Sequence, residues 1–259
     1  MSVRGGPRQR VRRGLALALL ATGPAAAAAQ TTTVAEPARA TVDGSRLRPE
    51  RRSYRLTVLR SGLPSSAGER VVTVRETTHA GSLAWAIVET WLVPAAVTSD
   101  SVVASREQLA PLHWEGTAGG ARLAAAVARD TLYGAISGAG LRRSLLVGLP
   151  AGVMLSAAML EAAVPLLPLQ LGVSVPLSAV VVDAMGARVV AGQLSVDRVE
   201  RIQVPAGDFD CLVATLRLER ASKTLWVSRD GRGVVKSEER MPDVGDAVLE
   251  QALTSIGPR

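Results

Sequence analysis

Residues 53–60, SYRLTVLR, decide the fold. Tyr54, Leu56 and Val58 alternate with Ser53, Arg55 and Thr57, and a period of two belongs to a strand with one dry face. The same texture continues in ERVVTVRETT (69–78), SLAWAIVETWLV (82–93), VTSDSVVASRE (97–107) and ARLAAAVARDTLYGAIS (121–137), split by Gly or Pro turns. Strands in that succession predict an antiparallel meander.

From Leu145 to Leu171 the texture changes. LLVGLPAGVMLSAAMLEAAVPLLPLQL places Met154, Leu155, Ala158, Met159 and Ala162 at helical spacing, with Pro165 and Pro168 as a stop. One helix over roughly 152–164 is predicted. Pro150, Glu161, Pro165 and Pro168 argue against a membrane span, because they break the apolar run and put a carboxylate within it. Strand texture returns in VSVPLSAVVVDAMG (173–186), ARVVAGQLSVDRVERIQVP (187–205), FDCLVATLRLER (209–220), KTLWVSR (223–229) and GVVKSEER (233–240). Asp230-Gly231 marks a hairpin between the last two, since that dipeptide tolerates positive φ. The expected fold is mainly β: a single curved antiparallel sheet or partly closed barrel of about ten to twelve strands wrapped on one helix.

The ends are read differently. MSVRGGPRQRVRRGLALALLATGPAAAAAQ sets five arginines before a short apolar run and small residues, the layout of an export signal with cleavage after Ala29. Arg12-Arg13 hints at the twin-arginine route, but the general secretory route fits the surrounding residues better. Residues 30–50 are expected as a flexible lead-in, 51–243 as the open barrel-like domain and 244–259 as a C-terminal tail, either a short helix or loose. Without the leader's five arginines the formal net charge falls from +7 to +2. The remaining arginines are dispersed, which excludes nucleic acid as a partner. The expected location is the periplasm or the outer-membrane surface, with peripheral membrane contact.

Cys211 is the only cysteine of the 259 residues, so no internal disulfide forms and no lipidation site follows the leader. It falls mid-strand in FDCLVATLRLER, where nothing local lowers a thiol pKa, and reads as a core residue. His79 and His113 are the only histidines, and neither HExxH, CxxC nor GxSxG occurs, so no metal, cofactor or serine triad is expected. Paired carboxylates, whose separation depends on the fold, keep an unrecognised hydrolase as a third reading. The four tryptophans stand out in a chain with 3% aromatic residues. Trp85 and Trp91 share one face of a strand, and Trp114 and Trp226 lie in other strand-like stretches. With Met154 and Met159 they are the candidate lining of an apolar ligand cavity, or else the filling of an ordinary core.

The runs IQVPAGDFDCLVATLRL (202–218) and TLWVSRDGRGVVKSEER (224–240) resemble a bacterial envelope family of domains of unknown function, in which a v-P-a-G-t-F-d-c turn and strand precedes W-v-s-k-D-g-r-r-v-v-k. Asp208 stands where that family often has Thr, and PLLPLQLG (165–172) is also similar. The family is in turn similar in architecture to Lol-type lipoprotein carriers, whose unclosed barrel holds acyl chains over a helix. The resemblance implies an exported, non-catalytic envelope protein that binds a lipid or an acylated protein. The alternative is a structural or assembly protein of the envelope with a filled core, acting on another envelope protein through its surface.

Overall fold

Strand follows strand from Glu50 to Gly257, with one helical interruption. The computed structural model describes residues 42–258 apart from 95, 139, 184, 185 and 220; the leader expected over 1–29 and most of the lead-in lie outside the described residues. The first half is a meander of eight strands: β1 (Glu50–Arg60), β2 (Leu63–His79), β3 (Ser82–Val93), β4 (Ala96–Ser105), β5 (Pro111–Ala118), β6 (Ala121–Ala128), β7 (Thr131–Gly138) and β8 (Leu141–Gly148). A two-residue bridge, β9 (Val153–Met154), and helix α1 (Ala157–Ala163) follow. The second half runs through β10 (Ser174–Asp183), β11 (Gly186–Val204), β12 (Gly207–Leu218), β13 (Ala221–Ser228), β14 (Gly233–Met241) and β15 (Ala247–Gly257).

All fifteen strands belong to one sheet, ordered β8-β7-β6-β5-β4-β3-β2-β1-β15-β14-β13-β12-β11-β10-β9. Every neighbouring pair is antiparallel except β9 with β10. The expected curved, mainly β sheet is therefore present, but with fifteen strands rather than ten to twelve. The additional strands are the short hairpin strands β5, β7 and β8, the two-residue β9 and β15; the hairpin turn with the weak signal is the one between β6 and β7. Ala128 pairs with Thr131 across Arg129-Asp130, and Arg129 takes a φ of 56 with no glycine to announce it. The Asp230-Gly231 hairpin forms as expected, through a four-residue loop between paired Ser228 and Gly233.

The sheet is strongly curled. β8 comes to lie near β11, yet no ladder joins them and the sheet is not closed. Gly68 supports the curl at the β1–β2 ribbon: the register shifts beside it, its φ is +122, and a Cβ there would meet the Leu92 carbonyl oxygen at 2.1 Å. One main core fills the concavity. Tyr54, Val72, Val74 and Ile87 from the first half meet Leu194, Val196, Leu216 and Leu225 from the second, with Ala158, Met159 and Ala162 of α1 among them. No helix of the described residues is long and apolar enough to cross a membrane.

Three boundaries differ from expectation. The helix expected over 152–164 spans only Ala157–Ala163, because Val153 and Met154 pair with Ser178 and Ala179 and Ser156 caps the first turn, its Oγ accepting from Met159 N at 3.1 Å. The lead-in expected to reach residue 50 ends early: Val42 and Leu47 are buried, flanking a 3-10 turn at Gly44–Arg46. The stretch from 244, expected as a tail, is largely strand β15, and it sits in mid-sheet between β1 and β14. Its apolar residues Ala247, Leu249 and Leu253 alternate in phase and are buried, which is the physical reason it pairs.

Candidate functional site

Polar residues in phase with the apolar face build a buried cluster. Arg70 falls in step with Val72 and Val74, Glu89 with Trp85 and Ile87, and Gln251 with Leu249 and Leu253, so alternation drives each into the interior. Arg70 is 1% exposed. Its Nε donates to Glu89, its Nη1 donates to Glu161 Oε2 at 2.6 Å and to Gln251 Oε1 at 2.9 Å, and its guanidinium lies 5.4 Å from the Tyr54 ring and 5.5 Å from the Trp91 ring. Lys223 of β13 donates to the other oxygen of Glu161 at 2.8 Å. Tyr54 donates its hydroxyl to the Val234 carbonyl at 2.9 Å.

Glu161 reports the curvature. Arg70 is on β2 and Lys223 on β13, four strand steps apart in the sheet order, which in a flat sheet is about 19 Å. One carboxylate touching both requires the two halves to face each other across α1. Helix α1 is thus bolted to both walls through a single side chain.

Electrostatics follow from this packing. Burial alone would raise the Glu161 pKa, but Arg70 and Lys223 outweigh it and hold it at about 2. Burial would likewise lower that of Arg70, and Glu161 and Glu89 reverse the effect and keep it charged. Asp100 sits directly opposite Glu89 on β4; burial and then the Glu89 charge push it up to about 7, against a hydrogen bond from Trp114 Nε1 at 2.8 Å that favours its charged form. A folded pKa raised from 3.8 gives stability that is complete below about pH 4 and is lost as pH rises through 7. Glu161 works in the opposite sense, its stabilisation being lost as pH falls from about 4.5 towards 2, and because both proteins carry it the effect cancels in the comparison. Asp100→Asn is therefore expected to add about 1–2 kcal/mol at pH 8 and little at pH 4. Urea midpoints of the two proteins from pH 4 to 8 check this, and parallel curves would refute it.

The structure puts five of the six nominated cavity residues in the main core and Trp91 against a second one. Trp85 is 0% exposed, and its Nε1 donates to the Gly44 carbonyl at 2.9 Å under the 3-10 turn. Gly44 leaves no room for a side chain, since a Cβ there would meet the Arg106 carbonyl oxygen at 2.6 Å. Trp91 shares its strand face but lies about 20 Å along the chain, beside Arg70 and a second small core of Leu56, Val58 and Leu249. Trp114 is buried over Asp100. Met159 is fully buried, with the Leu155 amide at 3.5 Å from its sulfur. Met154 lines a crevice with Leu160, Ala163, Val175 and Leu177, with room for about one water molecule. Trp226 is buried in the same main core, with Lys236 Nζ 4.9 Å from its ring. Cys211 is wholly buried and its thiol is pushed up to about 12, chiefly by burial, as a core residue requires.

Sequence reading passed over Arg70, Glu89, Asp100, Lys223 and Gln251, and noted Glu161 only as an obstacle to a membrane span. The available signal was the charge or amide in phase with an apolar face. Among the described residues, no group of three or more His, Cys, Asp or Glu is placed to hold a metal ion.

No family model matches the chain, and no curated protein matches it. Solved structures do. A β-barrel-like protein of the domain of unknown function DUF1849 from Brucella abortus is 15% identical, with a TM-score of 0.47, covering 82% of this chain and 98% of that one. A putative exported protein with a YmcC-like fold from Bacteroides fragilis is 11% identical, with a TM-score of 0.34, covering 84% and 99%. The hypothetical lipoprotein YmcC from Escherichia coli is 12% identical, with a TM-score of 0.29, covering 83% and 88%. At these scores the likenesses carry no functional information.

Proposed function

We propose that the chain is an exported, non-catalytic cell-envelope protein, a relative of the envelope family its C-terminal motifs resemble, whose curled sheet binds a lipid or acyl chain in the place α1 holds here. The observation that carries this reading is the nature of that occupant. Helix α1 has seven residues, all apolar except Glu161, and lies between a two-residue bridge and a proline turn. Helices this short are marginal on their own, so α1 is held by its packing and by Glu161, and a ligand that replaces those contacts releases it. The crevice beside Met154 and Leu160 is the starting point for an entering chain. The partner in this reading is a lipid or an acylated protein, met in the periplasm or at the outer-membrane surface.

One observation favours the second reading, a structural or assembly protein acting through its surface: Trp85, Met159 and Leu225 are each fully buried, so the interior is filled as it stands. Native mass spectrometry with lipid extraction, on protein purified from a bacterial periplasm without detergent, separates the two. A co-purifying or added lipid at near-stoichiometric amount is the expected result. A bare protein mass that takes up neither fatty acid nor phospholipid would overturn the ligand reading in favour of the second.

A further inference from the structure

Helix α1 is shaped like the ligand proposed for its place. Ala158, Met159, Ala162 and Ala163 form a buried apolar body, and Glu161 adds one anionic group that the sheet grips from two sides. The gripping residues belong to the sheet, Arg70 in β2 and Lys223 in β13, and beside them Gln251 in β15 accepts a hydrogen bond from Arg70. They hold more donors than Glu161 uses. Arg70 Nη2, Gln251 Nε2 and Trp91 Nε1 are buried and meet no acceptor among the described residues, and all three belong to side chains that touch or stack on the Arg70 guanidinium. Such donors in a dry interior are costly unless an acceptor reaches them.

We propose that Arg70, Lys223 and Gln251 form the headgroup site for an anionic amphiphile, a long-chain fatty acid, and that Glu161 occupies this site with its own carboxylate when no ligand is bound. The inference rests on the apolar-ligand reading and deepens it. Charge bookkeeping selects the class. With α1 withdrawn, Arg70 keeps Glu89 but loses its second carboxylate, and Lys223 loses the carboxylate it grips, while Asp100 keeps its proton below about pH 7. A fatty-acid carboxylate restores the balance that Glu161 supplied. An uncharged lipid of the same length leaves a net buried charge and idle donors, a mismatch that polar sites reject strongly.

The test is a native mass spectrometry titration at pH 6 of detergent-free protein with palmitate, 1-hexadecanol and acetate. Palmitate is expected to bind at least tenfold more tightly than 1-hexadecanol, and acetate not at all. Lys223→Gln, at the partly exposed rim of the cluster, loosens Glu161 and the palmitate headgroup alike, so it is expected to narrow the preference for palmitate over 1-hexadecanol about tenfold. Glu161→Gln removes the internal competitor and is expected to tighten palmitate about tenfold. Equal binding of palmitate and 1-hexadecanol by the unmutated protein overturns the headgroup site while leaving the apolar-ligand reading in force. Uptake of neither overturns both. The comparison in the unmutated protein decides the matter even where a variant does not fold.

Discussion

A chain ending at Gly245 is expected not to fold. It lacks β15, which pairs with β1 on one side and β14 on the other and is, among the described residues, the only strand that links the first-half and second-half strands at the centre of the sheet. Lost with it are the buried Ala247, Leu249, Ala252 and Leu253 and the Gln251 contact to Arg70. Each buried leucine contributes about 1.5–3 kcal/mol, so the strand as a whole rivals the 5–15 kcal/mol or so that holds a typical domain together. Ladder hydrogen bonds are lost on both of its edges, and the bared edges of β1 and β14 invite association. Far-UV circular dichroism and urea unfolding should show no cooperative transition, with aggregation on concentration. A cooperative transition near that of the full chain would refute the central place of β15.

Arg70→Met is expected to cost about 3–5 kcal/mol, because it strands the buried carboxylate of Glu89 and leaves that of Glu161 with Lys223 alone. For a domain of this size, each kcal/mol shifts Tm by about 2–4 °C, so a fall on the order of 10 °C follows. Neutralising Glu89 as well, in Arg70→Met with Glu89→Gln, is expected to recover most of the loss, since Glu161 keeps Lys223 and the cost lies in the unpaired charge rather than in missing attraction. Thermal and urea unfolding of the single and double variants check this. An Arg70→Met loss below about 1 kcal/mol would show that the carboxylates are solvated rather than held by Arg70.

Much of the fold was legible because strand texture is local. SYRLTVLR, SLAWAIVETWLV and FDCLVATLRLER each carry their own alternation, and the structure places β1, β3 and β12 on them nearly residue for residue. Cys211 could be read as core from the same alternation. Hairpins lacking glycine, such as Arg129-Asp130, were not legible, since their positive φ is imposed by the strands they join. β15 illustrates a further limit. VLEQALT sets its apolar pairs Val248-Leu249 and Ala252-Leu253 at helix-like spacing, and it becomes a strand only because β1 and β14 offer it two edges.

The candidate site shows the same division. Alternation alone sent Arg70, Glu89 and Gln251 inward, and the break in apolar texture marked Glu161, so the presence of buried polar groups was encoded locally. What the sequence by itself determined is a period-two chain around one short apolar segment, with a lone inert thiol. Only the tertiary structure decided that Glu161 meets Arg70 and Lys223, 91 and 62 residues away. The reason is physical: side-chain direction follows from neighbouring residues along the chain, whereas the curl that brings β2 opposite β13 is set by the packing of all fifteen strands around α1.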